Sequence, residues 1–285
     1  MINLEEISFD SLAFHSHWSK RIIGLEKFDI KVKTEKEVLR EYQHEEWGAL
    51  LKKVKQISDR ASLDMDELYL DINDKEPCYQ NGKFYLANAQ QRADMHLALY
   101  AETLSPYLDG ASCLVELAAG YGSKILNLSE MDAFSKLPLY AGEYTQSGRE
   151  LINIFAEIRQ KQIQVGHCDF RELVINDLAI PDNAIIFTSY SSHYVPELSE
   201  KFTYLFSQFN PKVVVHFEPC FEYMVQESLY GMMCKRYMIL NGYAQNLVSV
   251  IDHRQAKGEI KTRIRKNVLG DNPYLPISVI EWSPS

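Results

Sequence analysis

The sequence predicts an α/β protein built on a mostly parallel sheet, with antiparallel strands at one edge and a mostly helical cap ahead of it. Three observations carry this expectation. From Ser112 onward short apolar runs alternate with longer amphipathic stretches, the pattern of parallel strands joined by crossover helices. One run, Cys113 to Ser123 (C-L-V-E-L-A-A-G-Y-G-S), ends in an acid and breaks at once into a small-residue turn. The last two apolar runs flank a break from Gly270 to Pro276 and read as an antiparallel pair.

Taken in order, Thr34 to Asp59 repeats Val38, Tyr42, Leu50, Leu51 and Val54 at helical intervals among charges, and Asp64 to Leu70 continues the pattern. Asp71 to Gly82 gathers turn formers and reads as a loop, and Leu86 to Leu104 as an amphipathic helix. Strands are expected at Ser112 to Leu117, Leu139 to Gly142, Ile163 to Cys168, Ala184 to Ser189 and Lys212 to Phe217. Helices fit Gln146 to Gln160 and Leu198 to Phe209. Met224 to Leu240 and Tyr243 to Gln255 read as two more, broken at Asn241-Gly242, before strands at Glu259 to Val268 and Ile277 to Trp282. Residues 1–108 thus form the cap and residues 109–285 the ligand-binding domain.

The 285 residues, 46% of them hydrophobic, suffice for one large domain with such a cap. A formal net charge of -9 argues against a nucleic-acid partner, whose binding needs concentrated Lys and Arg. The five cysteines form no C-x-x-C pair, and His15 and His17 lack a third ligand nearby, so neither a disulfide framework nor a metal site is expected. The N-terminus is acidic where a signal peptide would be basic, and no apolar run approaches the roughly 18 residues of a membrane span. A soluble, cytoplasmic protein with no membrane partner is expected. The basic stretch Lys257 to Lys266 reads as a charged edge strand.

In the acidic run, Leu114, Val115 and Leu117 suit a strand buried on both faces, and Ala118 to Gly122 lack the bulk that would keep a ligand off the backbone. Ser123 to Leu128 can then open a helix whose free N–H groups face the same ligand. Only Gly120 and Gly122 are present, so the G-x-G-x-x-G of a dinucleotide site is incomplete. Glu116 suits a cationic ligand better than a diphosphate. Glu143 stands about 20 residues beyond the turn, where a carboxylate can accept from both ribose hydroxyls. Asp169 closes the third strand where an adenine amino group can donate to it, with Phe170 placed to pack on the base.

The runs V-E-L-A-A-G-Y-G, G-E-Y-T, C-D-F and S-Y-S-S-H-Y-V-P-E-L together resemble the Rossmann-like (class I) S-adenosylmethionine-dependent methyltransferase family, over about Ser112 to Phe217. The family has glycine where this chain has Ala118. The resemblance implies S-adenosylmethionine as cofactor, with Glu116, Ala118, Gly120 and Gly122 around its methionine part. It implies Glu143 and Tyr144 at the ribose, Asp169 and Phe170 at the adenine, and Tyr190 beside the methyl group.

In this setting the loop Tyr190 to Tyr194 supplies His193 as a base near neutral pH. In V-V-V-H-F-E-P-C-F-E, His216 and Glu218 share side-chain parity, so both are expected at the acceptor, Glu218 binding or deprotonating it. Tyr190, His193, His216 and Glu218 are thus the candidate catalytic residues. The expected acceptor is a small molecule or short peptide, methylated on nitrogen or oxygen, in natural-product biosynthesis. The alternatives are a nicotinamide-dependent reductase, for which the third glycine and a Tyr-x-x-x-Lys pair are missing, and a noncatalytic cofactor-binding module.

Overall fold

The computed structural model describes residues 4–57, 68 and 74–285. In chain order the elements are β1 (Glu5–Ile7), α1 (Leu12–His15), α2 (Trp18–Ile22), α3 (Glu35–Val38) and α4 (Trp47–Gln56). The hairpin β2 (Glu76–Gln80) and β3 (Lys83–Ala87) and helix α5 (Ala89–Leu104) follow. Next come β4 (Leu114–Leu117), α6 (Ser123–Glu130), β5 (Leu139–Glu143), α7 (Gln146–Ile158), β6 (Ile163–Asp169), β7 (Val174–Asn176) and β8 (Ile185–Ser189). The last are α8 (Tyr204–Ser207), β9 (Val213–Pro219), α9 (Leu229–Leu240), α10 (Leu247–Ala256), β10 (Ile260–Gly270) and β11 (Ile277–Pro284).

The strands form one sheet in the order β1-β3-β2-β10-β11-β9-β8-β4-β5-β6-β7. Its centre, β9-β8-β4-β5-β6, is parallel. Chain order reverses at β4, with β5 on one side and β8 on the other, and a crevice opens beyond the carboxyl ends of strands at such a point. Side-chain alternation covers both faces. Leu114, Phe187, Val215 and Phe217 pack with Ile125, Leu126 and Phe155 on one face. Val115, Leu117 and Val214 pack with Phe202, Phe206, Ile251 and Trp282 on the other.

Local signals explain the helix starts. Asn88 accepts from the Gln91 N–H while the Gln91 side chain accepts from the Asn88 N–H, a capping box that opens α5. Thr145 caps α7 by accepting from the Gly148 N–H. Between α3 and α4, Leu39–Glu46 winds as a π-helix that carries Tyr42 toward the crevice, with Trp47 just after it.

The expected parallel core and antiparallel β10–β11 pair are present, and the cap differs from expectation. Strands β1, β2 and β3 belong to the same sheet, β2 pairing with β10, so residues 1–108 are not wholly a helical cap. The stretch Asp71 to Gly82, read as a loop, contains β2. Its Asn81-Gly82 pair is a two-residue hairpin turn with φ of 47° and 87°, conformations that Asn and Gly adopt readily. The expected helix Leu198 to Phe209 shrinks to Tyr204–Ser207, because turns already bury Leu198 and Phe202. The strand β7, antiparallel to β6, was not expected. The continuation Asp64 to Leu70 falls, except for Leu68, outside the described residues.

His216 is fully buried on β9, where its Nε2 accepts from Trp282 Nε1–H at 3.0 Å and its Nδ1 lies 3.0 Å from Thr188 Oγ1. Burial pushes its pKa down from 6.5 to about 4. The unfolded chain therefore takes up this proton first on acidification, and stability falls as pH drops from about 6.5 toward 4. Glu116, which burial raises to about 7, acts in the opposite sense. We expect His216→Gln to reduce the stability lost between pH 7 and pH 5 by about 2 kcal/mol relative to wild type. Urea unfolding at both pH values measures this, and identical losses in the two proteins would exclude His216 as the source.

Candidate functional site

The crevice floor is the turn after β4. Ala118, Gly120 and Gly122 have φ of 57°, 60° and 85°, so the backbone runs left-handed at three alternate residues before α6 begins. Alanine in that region costs about 1–2 kcal/mol more than in a right-handed one, which accounts for glycine as the easier choice at position 118. Glu116 lies fully buried at the end of β4, with Oε2 accepting from the Ile125 N–H at 3.1 Å. Its Oε1 has no hydrogen-bond partner and sits 3.6 Å from Lys124 Nζ. Burial raises Glu116 to about 7 although Lys124 and the Ile125 N–H oppose it.

Glu143 ends β5 and is 5% exposed. One oxygen accepts from the Gly120 N–H at 2.9 Å, and the other from the Thr145 N–H and hydroxyl at 2.9 and 2.7 Å. Each carboxylate oxygen has two acceptor sites, so the oxygen bound to Gly120 keeps one free. Burial raises this carboxyl as well, against the pull of the Thr145 and Gly120 donors. The approach of α7 depends on Gly148, where a Cβ would lie 2.6 Å from the Gly120 carbonyl oxygen and 2.7 Å from Glu143 Cγ.

Asp169 ends β6 with Oδ1 accepting from the Arg171 and Glu172 N–H groups, a turn bond that fixes the carboxylate at the crevice rim. Phe170 follows it, 6% exposed and edge-on to Phe202, with part of its ring on the crevice wall. The Tyr144 hydroxyl donates to Glu35 Oε1 at 3.2 Å, tying this rim to α3.

Together Ala118, Gly120, Glu143, Tyr144, Asp169, Phe170 and Tyr190 line one cleft, closed from above by Val38, Tyr42 and Trp47. Glu116 and Gly122 are not among the residues that line it, although Lys124, which faces Glu116, is. The cleft shares Tyr42, Trp47, Lys124, Tyr190 and Tyr194 with a second chamber of about 520 Å³. This chamber is walled by Tyr100, Tyr121, Tyr237, Tyr243, Leu97 and Leu275, with Arg92, His96 and Asp271 at its polar end.

The structure corrects the roles expected for His193, Glu218 and His216. None of them lines the cleft or the chamber. Parity does place His216 and Glu218 on one face of β9, but it is the face packed on Phe202, Phe206 and Trp282, away from the chamber. Glu218 is fully buried and collects the Ser191 N–H and hydroxyl and the Ser192 N–H at 2.8 to 3.2 Å, with His193 Nδ1 3.4 Å away. Burial alone would raise its pKa, yet His193 and the serine donors outweigh burial and hold it below the ordinary carboxylate value. It fixes the loop after β8. His193 is 1% exposed, wedged between the rings of Tyr194 and Tyr243, and burial lowers its pKa.

Sequence reasoning missed the chamber's polar end. His96 lies on α5 with Nδ1 donating to the Arg92 carbonyl at 2.8 Å, and its Nε2 is 3.2 Å from Tyr190 Oη. The Asp271 N–H donates to the same hydroxyl at 3.2 Å. The available signal was a lone histidine on the inner face of an amphipathic helix, four residues after an arginine.

No protein-family model matches the chain, and no curated protein matches it. Solved structures do. Magnesium protoporphyrin IX methyltransferase ChlM from Synechocystis PCC 6803, solved with bound SAH, matches with a TM-score of 0.50 and 11% identity over 88% of this chain and 100% of that one. The [4+2]-cyclase SpnF matches with a TM-score of 0.51 and 15% identity over 84% of this chain and 77% of that one. The methyltransferase domain of bacterial CtHen1-C matches at 0.48 and 15%, over 70% of this chain and 100% of that one. The chain therefore has the class I methyltransferase fold. At these identities the likeness is one of fold, and one match is named for a different reaction, so function has to be argued from the site.

Removing the Glu218 carboxylate leaves the N–H groups of Ser191 and Ser192 buried without acceptors. Glu218→Ala is expected to lower unfolding free energy by about 2–4 kcal/mol. Chemical denaturation measures the loss, and a change under 1 kcal/mol would remove Glu218 from its clamping role.

Proposed function

We propose that the protein is an S-adenosylmethionine-dependent methyltransferase acting on a small molecule or short peptide. The observation that carries this reading is the cleft at the strand ends, where Glu143 and Asp169 flank a glycine turn and a fully buried carboxylate, Glu116, keeps one oxygen without a hydrogen-bond partner, facing only the Lys124 ammonium. The residues fit the cofactor. Lys124 is placed to meet its carboxylate and Glu116 to balance its positive charge, the free acceptor site of Glu143 suits the ribose, and Asp169 with Phe170 suits the adenine. When bound, S-adenosylmethionine supplies an electrophilic methyl group on sulfur.

The chain's own part is to align and to exclude water. Tyr42 and Trp47 cover the cleft, and Tyr190 and Tyr194 line both it and the chamber, so an acceptor in the chamber would meet the cofactor beside the Tyr190 ring. Alignment of this kind accounts for much of the rate in an in-line transfer. A chamber of about 520 Å³ with aromatic walls suits a compact organic acceptor of the sort made in natural-product biosynthesis. The five cysteines are all buried and unpaired, and no helix among the described residues is long and apolar enough to cross a membrane. The unpaired cysteines support work in a reducing compartment such as the cytoplasm.

Calorimetry with S-adenosylmethionine, S-adenosylhomocysteine and NADPH tests the reading. Binding of the first two is expected, and binding of NADPH alone would overturn it in favour of a reductase. Glu143→Ala should weaken binding of S-adenosylhomocysteine by roughly 10- to 100-fold, about 1.5–3 kcal/mol. Unchanged affinity in the folded variant would refute the ribose role.

A second expectation concerns pH. Glu116 is protonated below about 7, and a cationic ligand needs its carboxylate form. S-adenosylmethionine should bind more tightly as pH rises from 6 to 8 and release protons on binding at pH 7. Glu116→Gln should lose most of that dependence. Comparison of titrations in buffers of different ionisation enthalpy reads the proton count, and none released by wild type would refute the pairing.

A further inference from the structure

At the polar end of the aromatic chamber the hydrogen-bond arrangement around Tyr190 is fixed from both ends. The Arg92 carbonyl can only accept, so His96 Nδ1 carries the hydrogen and Nε2 holds a lone pair. The Asp271 N–H can only donate, so Tyr190 Oη accepts from it and gives its own hydrogen to His96 Nε2, 3.2 Å away. Tyr190 Oη is left with one lone pair and no hydrogen to offer. A group entering the chamber there must therefore be a donor.

Charge at this end is already matched. Arg92 is held by Asp271 at 2.7 Å, Glu76 at 3.0 Å and the Ala87 carbonyl at 2.7 Å, while Lys124 faces Glu116. The remaining walls are mostly rings and aliphatic side chains, with the uncharged polar groups of Ser123, Asn127 and Asn272 among them. They fit a flat, uncharged body.

We infer that the chamber takes a flat, uncharged hydroxyl compound and that Tyr190, backed by His96, draws off the hydroxyl proton as the oxygen is methylated. This rests on the methyl-transfer reading above. The acceptor O–H bond breaks toward Tyr190 Oη, whose own proton passes to His96 Nε2. The oxygen electron pair forms the bond to the methyl carbon, and the carbon–sulfur bond of the donor breaks with its electrons remaining on sulfur. The imidazolium afterwards returns its proton to water. Tyr190 touches the acceptor, and His96 is a positioning residue that directs the tyrosine hydrogen.

Burial keeps His96 below its ordinary pKa, hence neutral at pH 7 and able to accept. The charges facing it are Asp271, Arg92 and Lys124, and its titratable neutral neighbours are Tyr100 and Tyr190. Burial likewise raises the Tyr190 phenol well above its usual value, so the tyrosine passes a proton on rather than ionising.

The test uses two probes of nearly one shape, 2-naphthol and 2-methoxynaphthalene, titrated calorimetrically into the full-length protein with and without S-adenosylhomocysteine. Wild type is expected to bind the naphthol at least fivefold more tightly than the ether, which has no hydrogen to donate. In His96→Leu the Tyr190 hydrogen is freed to meet the ether oxygen, so the preference should fall below twofold while S-adenosylhomocysteine affinity stays within twofold. The same collapse is expected in wild type when acid protonates His96, followed by its imidazole NMR signals, and this measurement decides if the variant does not fold. Equal binding of the two probes to wild type at pH 7 would overturn the inference. So would a preference that survives in His96→Leu or through His96 protonation. If the preference holds but S-adenosylhomocysteine does not bind wild type, the hydroxyl site stands and the methyl-transfer reading falls.

Discussion

The cleft depends on one buried carboxylate that belongs to two strands at once. Glu143 closes β5, yet one of its oxygens holds the Gly120 N–H in the turn after β4 and the other holds Thr145 at the start of α7. A carboxylate removed from water must be compensated by donors, and here the donors are the very turns that shape the crevice. Gly148 allows this by bringing the α7 backbone close enough that any Cβ would strike Glu143. Glu218 repeats the device one layer away, gathering the loop after β8. Two buried acids thus convert flexible connections into fixed walls.

Much of the parallel core was legible in the sequence because fully buried strands and their following turns leave a strong local pattern. The acids Glu143 and Asp169 share the cleft with the Ala118–Gly120 turn because adjacent parallel strands in register end at one edge. The Asn81-Gly82 hairpin was equally local and was passed over among the other turn formers around it. Parity correctly put His216 and Glu218 on one face of β9 but could not say which, since both faces of that strand are buried.

The chamber was not legible for a different reason. Its walls come from Trp47 on α4, His96 on α5, Tyr121 in the first turn, Tyr190 after β8, Tyr237 on α9 and Asp271 in the last connection. No window of sequence holds more than a fraction of them. The 17 tyrosines are spread along the chain, and only tertiary packing selects which rings line a pocket. His193, the most conspicuous histidine of the loop, is walled in by Tyr194 and Tyr243, whereas His96 drew no notice from within an ordinary helix.

The hairpin at the far end of the sheet bears on how the chain acquires its structure. Gln80 and Tyr79 pair with Leu269 and Gly270, residues near the opposite end of the sequence. A pairing of such long range carries a large loop-closure cost and forms late. During synthesis β2 and β3 can join each other through their tight turn, but they wait for β10 to leave the ribosome before their outer edge is covered. Until then that edge offers unpaired backbone groups to other nascent chains. The sheet is finished only after β10 has been made, so the aromatic chamber, which Asp271 helps to close, takes shape after residues 260–271 are available.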